Sequence, residues 1–110
     1  MSYFARKEDV DPVSGLGHSA YKLLTEAHGC VNGCHAGISV YDTTTYLTPG
    51  IHEDQEGFVV LSGKGWAKVG EEEQAIEPGT AFMAPKGVPH AIKTASAQEP
   101  VVVFWFHAAI

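Results

Sequence analysis

Apolar and polar positions along the chain fall into short runs, with no helical stripe. Segments rich in β-branched and aromatic residues recur about every ten residues: Tyr21–Thr25, Ile38–Tyr41, Thr44–Leu47, Phe58–Leu61, Trp66–Val69, Ala81–Ala84, His90–Lys93 and Val101–His107. Between them stand Thr48-Pro49-Gly50, Ser62-Gly63-Lys64-Gly65, Gly70-Glu71-Glu72-Glu73, Glu77-Pro78-Gly79 and Pro85-Lys86-Gly87. Short strands with turn residues between them predict an antiparallel sandwich or barrel. Val101–Phe106 reads VVVFWF without alternation, which predicts a strand covered on both faces. Gly63-Lys64-Gly65 is expected to close a hairpin from Phe58–Leu61 to Trp66–Val69, and Gly70–Glu73 to form the next, with its glutamates at a solvated tip. Tyr21–His28 also admits a turn or two of helix; the strand is the reading adopted.

The length of 110 residues fits one domain, here 1–110, with an N-terminal arm of about 1–18 and a barrel of about 20–107. A chain this long buries roughly 60–70% of the surface it exposes unfolded, so neither disulfide nor metal is needed merely to fold. Hydrophobic residues make up 45% and charged residues 18%, which is globular and not disordered. Seven Lys plus Arg against 13 Asp plus Glu give a net charge of −6. That balance argues against a phosphate-tracking nucleic-acid surface and an anionic-membrane surface. The start, from Met1 to Pro12, has no apolar stretch after its charges, and no run is long enough to span a bilayer. A cytoplasmic protein is therefore expected. Its two cysteines do not make a disulfide framework.

Six histidines are many for this length. His52 precedes Glu56 by four residues at the start of one strand, and His90 follows Gly87-Val88-Pro89 at the start of another. Barrel closure brings such strand starts together. His28, Cys30, Cys34 and His35 form a second cluster. Its C-x3-C spacing is not that of a structural zinc site, and a Gly-rich turn with two reduced thiols is the preferred reading. No phosphate-binding loop, nucleophile triad or glycosidase carboxylate pair stands out.

Gly79, Pro85, Gly87 and His90 have the order G-x5-P-x-G-x2-H, which resembles the second motif of the cupin superfamily; Thr94 stands where the motif ends in Asn. Counting back from Gly63, Glu56 and His52 fall on the carboxylate and second histidine of the first cupin motif. Gly50 stands where that motif has its first histidine, and Thr44 where it has its leading glycine. The two motifs cover about half the chain, Thr44 to Thr94.

The resemblance implies an all-β fold, a single-domain cupin-type double-stranded β-helix or jelly-roll barrel. It also implies one divalent transition metal at the barrel mouth, held by His52, Glu56 and His90. Two imidazoles and a carboxylate suit Zn, Fe, Mn, Ni or Co without choosing among them. For the ligand missing at Gly50 the candidates are, in order, His107, His35 and Asp54; a three-ligand site with more room is the alternative. Strand alternation from these residues makes Tyr46, Phe58 and Thr94 candidates for the pocket lining. The functional expectation is a metal-dependent enzyme of dioxygenase, isomerase or lyase type acting on a small oxygen-rich molecule. A non-enzymatic ligand-binding or sensing protein and a metal-free structural dimer are the other readings. A homodimer is expected, because Val101–Phe106 carries more apolar surface than a narrow barrel hides.

Overall fold

A computed structural model of the chain describes residues 2–15 and 17–110. Its strands are β1 (Val13–Gly15), β2 (His18–Leu24), β3 (His35–Tyr41), β4 (Glu56–Ser62), β5 (Gly65–Val69), β6 (Glu72–Ile76), β7 (Ala81–Ala84), β8 (His90–Thr94) and β9 (Val101–His107). They form a six-stranded sheet in the order β1-β2-β3-β9-β4-β7 and a three-stranded sheet in the order β6-β5-β8. Every named pairing is antiparallel. The result is a jelly-roll β-barrel. Among the described residues no helix is long and apolar enough to cross a membrane.

The core is Phe58, Val60, Ala67, Ile76, Ala84, Ile92, Val101, Val103 and Trp105, with Tyr41 and Phe82 packed against it. It lies between β4 and β9 on one side and β5 and β8 on the other. Phe58 stacks on Phe82 with ring centroids 4.7 Å apart. Odd-numbered residues of β9 point into this core and even-numbered ones point out, leaving Phe106 exposed. VVVFWF is therefore buried on one face only, contrary to the expectation. Val59, Leu61, Met83 and Phe106 are exposed on β4, β7 and β9.

Three further local expectations are corrected. Thr44–Leu47 is not a strand, despite its β-propensity. It belongs to the connection that leaves β3 in the large sheet and reaches the small one, where Gly50 bridges His90. Thr43 Oγ1 donates to the Thr45 carbonyl at 3.1 Å, turning the chain. Gly63-Lys64-Gly65 does not close a hairpin, because β4 and β5 belong to different sheets. Gly63 has φ +82°, and a Cβ there would fall 2.1 Å from the Pro100 carbonyl oxygen, so this sheet switch requires glycine. The next hairpin does form, from β5 to β6, but its turn is only Gly70-Glu71: Glu72 pairs with Val69 and Glu73 with Lys68, so both lie in β6 and not at the tip.

The sheet also begins earlier than the arm of about 1–18 allows, since β1 starts at Val13. Met1 and Leu16 of that arm lie outside the described residues. Tyr21–His28 is divided between β2 and a 3-10 turn, Glu26–His28, whose Ala27 N–H donates to the Thr25 side chain at 3.3 Å.

Candidate metal centre

The turn at Pro85-Lys86-Gly87 builds one side of the site. Val88 N–H donates to the Pro85 carbonyl at 3.0 Å, closing the turn. Gly87 has φ +75°, a left-handed value at which a side chain would be strained. Its N–H donates to the His52 carbonyl at 2.8 Å, so the turn that launches β8 also pins the segment carrying His52. Gly50 and His90 then exchange two backbone hydrogen bonds of 2.9 Å.

These contacts bring His52, Glu56 and His90 together, with one ligand atom of each within 4.8 Å of the others. His90 Nε2 is 3.1 Å and His52 Nε2 3.3 Å from Oε1 of Glu56. Glu56 is 7% exposed, unusual for a carboxylate. His90 Nδ1 donates to the Val88 carbonyl at 3.3 Å. In a neutral ring that leaves the Nε2 lone pair facing the carboxylate, an arrangement that calls for a proton or a cation between them. Burial works against a charge on His90, but the hydrogen bonds to Glu56 and Val88 outweigh it and raise its pKa above the ordinary 6.5. The donor set thus fits a divalent ion, and without one the same contacts favour a proton on His90.

The other candidate ligands are placed around this group. His107 Nε2 is 3.4 Å from Glu56 Oε2, on the far side of the carboxylate, and its Nδ1 donates to Asp54 Oδ2 at 2.9 Å. His35 lies flat against His107, with centroids 4.1 Å apart and planes 7° apart, and gives its Nδ1–H to the Gly33 carbonyl at 2.7 Å. Asp54 is thus a partner of His107, and His35 part of its wall.

The three residues expected to line the pocket are elsewhere. Tyr46 reaches across to Glu73, donating at 2.7 Å, because the segment carrying it is a loop and not a strand. Phe58 is 2% exposed beneath the site, in the core with Phe82. Thr94 is 1% exposed at the opposite end of β8. Its hydroxyl donates to the Glu99 carbonyl at 2.7 Å and accepts from Ser96 N–H at 3.3 Å, binding the β8–β9 connection.

A cavity of about 470 Å³ opens beside the group and runs along β2 and β3. His18, Lys22, Ser39, Tyr41 and Trp105 line it, and none of them belongs to the two sequence motifs. His18 stacks on Tyr41 at 4.6 Å, and Trp105 Nε1 donates to Ser39 Oγ at 2.7 Å. Burial lowers the His18 pKa, only partly opposed by Glu56, and burial together with Glu56 raises that of Tyr41. The missed signal was alternation: His18, Ala20 and Lys22 share one face, visible only if the strand is started at His18 instead of Tyr21. Cys30 and Cys34 are free thiols in the β2–β3 loop, outside the metal-ligating group.

Residues 39–107 match the cupin domain family. The chain belongs to the cupins. Among solved structures this cupin is similar to an RmlC-like cupin from Shewanella frigidimarina, 16% identical over 99% of this chain and 93% of that one, TM-score 0.79. It is similar to the polyketide cyclase RemF from Streptomyces resistomycificus, 18% identical over 97% of this chain and 79% of that one, TM-score 0.80. It is also similar to FeII HppE in complex with substrate, 14% identical over 96% of this chain, TM-score 0.82; the match spans 59% of that longer protein. At these identities the likeness shows the barrel alone. No curated protein sequence matches significantly.

Proposed function

We propose that this cupin holds one divalent transition metal through His52, Glu56 and His90, with open coordination positions facing a small oxygen-bearing ligand in the adjoining cavity. The observation that carries the reading is the convergence of two imidazole Nε2 atoms on one oxygen of a buried carboxylate. A bound divalent ion there would supply Lewis-acid polarisation of a carbonyl or carboxylate, or, as iron, oxygen chemistry. The chain's own residues bind and orient: His52 and His90 hold the ion, Glu56 balances its charge, and Trp105 and Tyr41 wall the cavity beside it. RemF is named a cyclase and HppE is described with FeII and substrate. On that analogy this cupin is a metal-dependent enzyme acting on a small oxygen-rich molecule; a binding protein without turnover would share the site.

Metal analysis of protein purified without added metal tests the centre, with near-stoichiometric metal expected and a trace amount, not raised on incubation with Co²⁺ or Fe²⁺, counting against it. Two free thiols fit a reducing cytoplasm.

A homodimer is a second reading, favoured by the exposed Val59, Leu61, Met83 and Phe106 on the outer face of the large sheet. Solution mass tests it: twice 11.8 kDa is expected, and a single 11.8 kDa species across micromolar concentrations refutes it.

A further inference from the structure

We propose that His107 is the fourth protein ligand of this centre, replacing the histidine that the cupin motif puts at position 50, and that Asp54 is the residue that positions it. The inference rests on the metal reading above and extends it to a residue outside both sequence motifs.

Position 50 carries no side chain, and the space above it is tight. A Cβ on Gly50 would lie 3.0 Å from His90 Nε2 and 3.4 Å from His52 Nε2, so the His90 ring would have to shift by a few tenths of an ångström to admit one. Gly50 itself offers no side-chain donor, and strand register brings another histidine beside the carboxylate. His107 pairs directly with Glu56 across β9 and β4, and with His35 across β9 and β3. Residues directly opposite in antiparallel strands project to the same face, so His35, His107 and Glu56 form one row along the barrel wall.

The ring of His107 is set as metal-binding histidines are set. Its Nδ1–H is given to a carboxylate, Asp54, at 2.9 Å. That fixes the tautomer and turns the Nε2 lone pair toward the site. At 3.4 Å from Glu56 Oε2, this nitrogen is too far for a good hydrogen bond yet faces the second oxygen of the same carboxylate that His52 and His90 address. The ring has little freedom to turn away: His35 stacks on one face at 4.1 Å and Trp105 meets it edge-on at 5.5 Å. His52 lies 5.1 Å from it, ring to ring. His107 lies outside the group of three whose ligand atoms fall within 4.8 Å of one another and meets it through Glu56, so its ligation would draw the ion toward Oε2 and leave fewer open positions than the three-ligand alternative.

The competing account makes the Asp54–His107 pair a latch that ties the segment before β4 to the end of β9 and never touches metal. Co²⁺ separates the two. X-ray absorption of the Co²⁺-loaded protein counts imidazole ligands, competition titration gives affinity, and thermal unfolding of the metal-free proteins reports any latch. We expect three imidazoles in the native protein and two in His107→Gln, with affinity reduced about 10- to 100-fold, and Asp54→Ala weakened by about 10-fold with three imidazoles retained. An unchanged imidazole count and affinity in His107→Gln overturns the assignment, whatever happens to its melting temperature. If His107→Gln does not fold, native affinity in Asp54→Ala overturns it instead. His90→Ala keeps the two levels apart. Loss of Co²⁺ there with retention in His107→Gln removes only the fourth ligand. Native protein that binds Co²⁺ no better than His90→Ala removes the metal reading and this inference together.

Discussion

The two ends of the same strands do opposite things. Along β4 the inward face runs from Glu56 to Phe58 and Val60; along β8 from His90 to Ile92 and Thr94; along β9, read backwards, from His107 to Trp105, Val103 and Val101. At the mouth the inward residues are titratable and face one another across 3.1 to 3.4 Å. At the closed end they are apolar apart from Thr94, whose hydroxyl is hydrogen-bonded, and Val101 and Val103 are fully buried. Each end solves the desolvation problem differently. Apolar surface at the closed end gains from leaving water. The buried groups at the mouth are tolerated because each has a polar partner, and among the described residues no buried side-chain N or O lacks one. Apolar burial is therefore concentrated at one end and the titratable cluster at the other, and the two should respond to mutation separately.

The largest effect is expected at the closed end. Phe58→Ala removes a ring that is 2% exposed and stacked on Phe82, and should cost about 3–5 kcal/mol of unfolding free energy. Urea unfolding checks it; a loss under 1 kcal/mol would mean that the core collapses around the gap. His90→Ala is the opposite case. Metal affinity should fall by a factor on the order of 100 or more, because the centre loses one of the imidazoles that converge on Glu56, while metal-free stability changes far less than in Phe58→Ala. Equal stability losses in the two proteins would erase the distinction between the ends.

Thr94→Val keeps shape but removes the hydroxyl that serves Glu99 and Ser96. Leaving these backbone groups unpaired should cost about 1–3 kcal/mol without altering metal affinity. A changed affinity would show that the closed end communicates with the mouth.

The smallest effect is in pH dependence. In the metal-free protein, the raised pKa of His90 contributes stability that is fully present below its ordinary 6.5 and is lost as pH rises through the folded value. His18 is lowered, so its contribution is present above 6.5 and lost as pH falls through the folded value. His90→Gln should flatten the alkaline side of the stability profile and His18→Asn the acid side. Metal affinity should move the other way from metal-free stability at His90, rising with pH as the ligand loses its proton. A metal-free profile unaltered by His90→Gln would show that Glu56 does not hold that proton.

Much of the barrel follows from local signals. Turn residues and β-propensity locate β3, β4, β5, β7, β8 and β9 to within a few residues, since a strand's alternation and a glycine's left-handed turn are properties of adjacent residues. The same holds for His52, Glu56 and His90, which a spacing pattern ties to Gly63, Pro85 and Gly87. What local pattern does not contain is which strands pair. Gly63 reads as a hairpin turn until the sheets show that the chain crosses between them there. Thr44–Leu47 has the propensity of a strand, but no neighbouring strand is available to it along that connection. His107 and Glu56 are far apart in sequence and directly opposite in the sheet, a relation created only by the β4–β9 register. The sequence by itself determined the all-β class, through the chain's own alternation and turns, and three members of the candidate site, through the resemblance of their spacing to the family's motifs. Only the tertiary structure decided the lining of the cavity by β2 and β3 and the placing of Asp54, His107 and His35 beside Glu56, because those depend on long-range strand pairing that no short stretch of residues encodes.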